Sequence, residues 1–456
     1  MATLPVRGAE NAVAMSTNNL PWWKVLYRYS IFEAADSAWS LIIVSTYFGT
    51  FLQIVLKQPG AHFGWAVTTG ALIVAAISPI LGAAADHSGR RQPYLRFFVY
   101  GAVLCTAGLA WAHLVPVALL LFILAYVCVN AAFTFFSAMT PAVSNERTVS
   151  TVISMTVGVG YAGGLICILG LSRLVPSDEM AGRVFLPMAL IYLALALPAM
   201  YLAPDFVPKG HARVDLRAAY GRMRQTFQEA RKYRHLFRFL IGDFLYENAV
   251  ASVITLMGLY SRNVMGFQAS ELAGLFGPSI VVAMLAAWLV FGPLVRAIGP
   301  KYALLIDLLV WLLLFASVLA IRPGAALDLG VFHFDARLLF SAVVAPLAGV
   351  GLAGVWSTSR VFLTALTPAE KSGEFWGLYN LSGRTASLLG DATWSVALTI
   401  LGEQLFGYQV AVIALAIYVL LGAGLIVTLP DVRPSPLNFL QARAIAAGGA
   451  RVPDPR

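Results

Sequence analysis

"GAAADHSGRR", residues 82–91, lies between two long apolar runs. It is answered by "GPLVRAIGPK", residues 292–301, between two others. Gly82, Asp86, Gly89 and Arg91 stand against Gly292, Arg296, Gly299 and Lys301 at a constant offset of 210. A second pair flanks these loops: "DSA" at Asp36 and "ENA" at Glu247, offset by 211. "TPA" closes the fourth apolar run at Thr140 and the tenth at Thr367. Three matches in equivalent places describe a chain built from two related halves.

The runs around these loops set the fold class. The chain of 456 residues is 59% hydrophobic and 12% charged, against about 25% charged in a soluble domain. Apolar stretches of about 20 residues without period-2 alternation exclude a β-barrel and leave an α-helical bundle. Twelve runs are read at about 30–56, 65–85, 95–114, 116–140, 151–175, 183–203, 237–260, 271–296, 302–322, 337–366, 374–402 and 406–429. The predicted organisation is an amino tail (1–29), a six-helix half (30–203), a linker (204–236), a second six-helix half (237–429) and a carboxyl tail (430–456).

An even number of spans puts both termini on one side. Most of the 31 Lys and Arg fall in the two tails and alternate loops, which predicts that both termini are cytoplasmic. The net charge of +9 therefore serves topology, and no nucleic-acid partner is expected. In the linker, Leu216, Tyr220, Met223, Phe227 and Ala230 recur at three- and four-residue spacing between Arg and Lys. Two readings stay open: an amphipathic helix on the inner membrane surface, or a solvated helix joining the halves. Cys105, Cys128 and Cys167 lie in apolar runs and read as packing residues. No cleavable signal peptide is expected, since residues 1–24 are polar and mixed.

The first loop resembles the signature of the major facilitator superfamily, G-x-x-x-D-x-x-G-[RK]-[RK]. That resemblance implies twelve transmembrane helices in two pseudo-symmetric halves, with a latch formed by Gly82, Asp86, Gly89, Arg90 and Arg91. Gly82 would allow close helix approach and Gly89 the turn. Asp86 would be the switch carboxylate, facing a helix amino end. Arg296 replaces this Asp in the second copy, which predicts a one-sided latch. Further motifs narrow the likeness. "FEAADSAWS" (32–40), "GYAGG" (160–164), "FLIGDFLYENAV" (239–250), "WSTSRVF" (356–362) and "EFWGLYNLSGRTASLLG" (374–390) resemble segments of the family that includes the yeast autophagy-related vacuolar amino-acid effluxer. The sequence departs from that pattern with Glu33 for Asp, Asp36 for Asn, and Glu247-Asn248-Ala249 for Asn-Asp-Gly.

Charged residues within spans are costly and mark pathways. Glu33 and Asp36 share a face of the first span, and Asp243 and Glu247 share one of the seventh. The repeat pairs these spans, and the resemblance to the superfamily implies that both line a central cavity, so two acidic faces are expected across a water-filled path. Such carboxylates can load a proton or hold an ammonium or a sodium ion. Arg360 and Arg384 suit a substrate carboxylate or phosphate, or a permanent ion pair. Asp391, seven positions after Arg384, is a possible partner. Asn248, Tyr379 and Asn380 are polar positions beside these charges. Asp243, Asp307 and Glu374 lie near span ends, where structural pinning is an equal reading. Trp356 and Asn130 read as packing residues, and Gly158, Gly160, Gly163 and Gly164 as contacts for close helix approach.

Neither a metal-ligand spacing nor a nucleotide loop nor a catalytic constellation is apparent. No cofactor and no enzymatic activity are expected. The expectation is a secondary transporter of a small polar or zwitterionic solute, working as a monomer in the inner (plasma) membrane and coupled to a proton or sodium ion. A non-transporting scaffold or assembly factor on the same fold, and a lipid or drug efflux pump, remain alternatives.

Overall fold

A computed structural model describes residues 21–87, 91–139, 149–204, 231–324, 326–328, 333–367, 378–379, 382–383 and 387–432, with 143, 221 and 228 as single residues. The twelve spans are α1 (Trp22–Val55), α2 (Gly60–His87), α3 (Gln92–Gly108), α4 (Val115–Ala138), α5 (Val149–Leu171) and α6 (Phe185–Tyr201). They continue with α7 (Arg234–Asn263), α8 (Leu272–Ile298), α9 (Pro300–Ala320), α10 (Ala336–Leu366), α11 (Ser387–Leu401) and α12 (Leu405–Val427). Eleven of these are long and apolar enough to cross a membrane, and α11 is a shorter apolar helix among the described residues. The start of the eleventh run, including Glu374, falls largely outside the described residues, as does the linker helix expected within 204–236.

Local chemistry sets the boundaries. α3, α4 and α9 open with proline in the first two positions, where its missing N–H costs nothing. Asp335 caps α10 by accepting from the Leu338 amide at 2.7 Å. Gly299 has φ +89° and separates α8 from α9, a turn that a β-carbon would oppose. Two features depart from the sequence reading. α1 begins eight residues earlier than the predicted run and alternates α-helix with π-helical stretches at Leu26–Ser30, Ser40–Tyr47 and Phe51–Val55. The connection before α10 carries a hairpin, β1 (Ala326–Asp328) and β2 (His333–Asp335), paired antiparallel with Leu327 opposite Phe334. Each strand is only three residues long, too short for a period-2 pattern to announce it.

The chain forms two compact units. One comprises Met1–Ile43, Ile77–Leu174 and Gly182–Leu216; the other comprises Val44–Ala76, Val175–Ala181 and Arg217–Arg456. In the first unit α1 lies close against α5. A β-carbon at Gly160 would stand 2.8 Å from Glu33 Cγ and 2.7 Å from Ser37 Oγ. One at Gly163 would strike Ala34, and one at Gly164 would touch Leu41. The close-packing role expected of Gly158 is corrected: a β-carbon there would meet nothing within 4 Å among the described residues. Ser30 and Thr156 share a hydroxyl hydrogen bond of 2.7 Å along the same seam. Asn130 donates to the Tyr126 carbonyl of its own helix.

In the second unit, Lys301 Nζ donates to the carbonyls of Val427 (2.9 Å) and Leu429 (2.5 Å), tying the start of α9 to the end of α12. Asp307 and Trp311 on α9 press on α10 where it is bare: a β-carbon at Gly354 would collide with Asp307, and one at Gly351 would lie 2.7 Å from Trp311 Nε1.

Candidate functional site

Helix α7 carries the densest polar surface. Asp243, Tyr246, Asn248 and Ser252 are wholly buried, and Glu247 is 9% exposed. The Tyr246 hydroxyl donates to Asp243 Oδ1 at 2.5 Å and pairs with Ser359 Oγ of α10 at 2.8 Å. The carboxyls of Asp243 and Glu247, one helical turn apart, lie against one another. Arg360, next to Ser359, is an electrostatic neighbour of the Tyr379 hydroxyl, which is near enough to both carboxyls to feel their charge. Gly383 completes this wall. A β-carbon there would stand 3.3 Å from Glu247 Oε2, so the missing side chain leaves the Glu247 carboxyl its room. Two acids, two phenols and a guanidinium thus meet within the second unit.

Glu33 and Asp36 sit on the α1 segment of the first unit, half-buried, with Glu33 against Gly160. Asn248 turns from the acids and accepts the Gly390 amide of α11. Asp391 follows Gly390 and is fully buried. Asn380, Arg384, Gly89 and Arg90 lie outside the described residues. Gly82 and Asp86 fall in the last turns of α2, and Arg91 precedes α3.

Sequence reading overlooked Tyr246 and Ser359, although both stand inside the quoted motifs; a hydroxyl one turn from an intramembrane acid was the available signal. It also missed a polar cluster in the second unit, at the end of α7 away from the linker. Arg262 donates to Asp178 (3.1 Å) and to Gln53 (2.9 Å), and Gln53 donates to Glu403 (3.0 Å). Glu403 also accepts the Ala61 amide at 2.9 Å, and Asp178 the Ala269 amide at 2.7 Å. Each carboxylate thus holds a backbone amide and a long side chain together. These residues lie in connections and span ends, where charge is common and carries no signal.

Twelve helices in two related sets, with charged residues deep in the spans, define a membrane transporter of the major facilitator type. The model for the vacuole effluxer Atg22-like family matches residues 62–433. The chain belongs to that family. An uncharacterized MFS-type transporter, YxiO of Bacillus subtilis (strain 168), is 24% identical over 428 residues, covering 88% of this chain and 94% of the relative. Among solved structures, a point mutant of the nucleoside transporter NupG aligns with TM-score 0.67 at 15% identity, covering 89% of this chain and 98% of the other. A bacterial homolog of the human lysosomal transporter Spinster, inward-facing and unoccupied, gives 0.64 at 13%, covering 95% and 100%. At these identities the structural likeness concerns the fold.

Proposed function

We propose that the protein is a proton-coupled secondary transporter of a small zwitterionic, amino-acid-like solute. It works by alternating access in the inner membrane, with both termini cytoplasmic. The observation that carries this reading is the meeting of Asp243, Glu247, Tyr246, Tyr379 and Arg360 in one buried cluster. A zwitterion needs both signs. Arg360 offers a planar donor fork for a carboxylate, and Glu247 offers a carboxylate for an ammonium. Two buried carboxyls one turn apart repel when both are charged, and a proton relieves the repulsion. Glu33 and Asp36 of α1 are the matching acids from the other half of the repeat. The latch residues Gly82, Asp86, Gly89, Arg90 and Arg91 govern the change of access.

Uptake into proteoliposomes tests this. A panel of amino acids, peptides, sugars and nucleosides is first screened by thermal shift, since a substrate stabilises the state it binds. Transport of the hit is then measured against pH. Asp36→Asn and Glu247→Gln are expected to flatten the pH dependence; an unchanged profile in both would refute proton coupling through these acids. No hit among zwitterions with a clear one among sugars or nucleosides would refute the substrate class.

A further inference from the structure

Three fully buried carboxyls in the second unit have different surroundings. Asp243 accepts from Tyr246. Asp307 faces the bare backbone of α10 at Gly354. Asp391 stands in a seam that carries hydroxyls: Ser387 is one turn earlier on α11, and Ser252 of α7 packs on the adjacent Gly390, where a β-carbon would collide with its Oγ, and both hydroxyls act on the Asp391 carboxyl. Among the described residues, neither Asp391 oxygen meets hydrogen-bond geometry with any donor, and the Ser252 hydroxyl likewise has no partner. Asp391 and Ser252 are 0% exposed and Ser387 is 7% exposed.

The spaces between the helices are built around this group. A β-carbon at Gly390 would collide with Ser252 Oγ and stand 2.9 Å from Asn248 Oδ1. Glycine at 390 therefore lets α7 bring its oxygens to α11. Asn248 Oδ1 holds the Gly390 amide, which fixes the register of the two helices and places Ser252 one turn along from Asn248, beside Asp391. Ser395, one turn after Asp391, spends its hydroxyl on the Asp391 carbonyl and so keeps it out of the carboxyl's surroundings. A carboxylate removed from water without a partner costs several kcal/mol.

We propose that Asp391, Ser252 and Ser387 form a sodium-binding site. Two carboxylate oxygens and two hydroxyl oxygens suit a hard cation. A single negative charge matches a monovalent ion. Asp307 lacks such oxygens, which makes it the internal control. Use of this ion in coupling rests on the transporter reading above; the binding itself does not.

The test uses the purified full-length protein in detergent without any solute. Thermal unfolding is followed in N-methylglucamine chloride while sodium, lithium or potassium chloride replaces it at constant ionic strength, with direct binding of radioactive sodium alongside. Wild type and Asp307→Asn are expected to gain stability saturably with sodium and not with potassium. Asp391→Asn should lose the response. Ser252→Ala, which removes one hydroxyl and is expected to fold, should raise the half-saturating sodium concentration by roughly tenfold. A wild type that responds equally to sodium and potassium, or to pH alone, would overturn the site. So would Ser252→Ala binding sodium as wild type does. Because no solute is present, failure of the substrate panel leaves this result standing, and failure here leaves the zwitterion cluster untouched.

Discussion

Replacing Gly163 with alanine tests whether missing side chains hold α5 against α1. A β-carbon at 163 would stand 2.7 Å from Ala34 Cα and 3.2 Å from the Ala34 carbonyl oxygen, and would collide with Ala34 Cβ. Carbon atoms rest at about 3.5–4.0 Å from one another, so the helices must part by about 1 Å at this point. Ala34 Cα is backbone and has no rotamer to yield. Overpacking of this kind costs roughly 1–3 kcal/mol. Alanine also gains about 0.8–1.0 kcal/mol of helix propensity over glycine, which offsets part of the cost. Gly158 supplies the control, because a β-carbon there meets nothing within 4 Å. The Gly158→Ala variant takes the propensity gain without the clash. The two variants are therefore expected to differ by about 1–3 kcal/mol, with Gly158→Ala at or above wild type and Gly163→Ala below it. Thermal unfolding of the purified protein, followed by tryptophan fluorescence, reads the difference. Equal shifts of the same sign would refute the seam.

Removing the Tyr246 hydroxyl with Tyr246→Phe leaves Asp243 without its donor, and the melting temperature should fall by the equivalent of about 1–3 kcal/mol; an unchanged melt would show the bond to be unimportant. Arg262 and Asp178, with side chains 10% and 22% exposed, should show a coupling of about 1–2 kcal/mol in a double-mutant cycle of Arg262→Met and Asp178→Asn, whereas additive effects would count against the contact. Lys301→Met strips the α12 end of two donors and is expected to speed proteolysis after Leu429, with wild-type cleavage rates as the contrary result.

Much of the architecture was legible because lipid leaves few choices. Run length and low charge are enough to identify helices such as α4 and α12, whose apolar windows have no competing signal. α1 was harder. Its early turns, "WWKVLYRYS", carry Lys24 and Arg28, and composition gave no reason to begin a span there or to expect π-turns. The glycines of α5 announced close packing, but their individual faces depend on the rotation of the helix. Gly160 and Gly163 therefore meet α1, whereas a β-carbon at Gly158 would meet nothing within 4 Å among the described residues. In the site, acids stood out because charge in hydrocarbon is rare. Hydroxyls did not, since serine in a membrane helix commonly bonds its own backbone, as Ser279 does to Leu275 and Ser395 to Asp391. Ser252 departs from that habit, and no sequence pattern flags it.

This difference bears on how buried acids are ranked. By sequence, repeat pairing sets Asp36 and Glu247 apart, whereas structural pinning is an equal reading for Asp243 and Asp307. The surroundings divide them otherwise. Asp243 belongs with Glu247, because the same Tyr246 hydroxyl that bonds it also reaches α10 at Ser359. A change at either acid is thus felt on α10, where Arg360 follows. Asp307 faces the bare backbone of α10 at Gly354, with the Phe291 ring close by and no hydrogen-bond partner among the described residues, so exchanging it for the neutral, isosteric asparagine should alter little. Asp391 lies between these cases, with hydroxyl oxygens near but no donor engaged among the described residues. What an intramembrane carboxylate can do is set by the dipoles that face it, and here those dipoles come from α10 and α11 as much as from the helix that carries the charge.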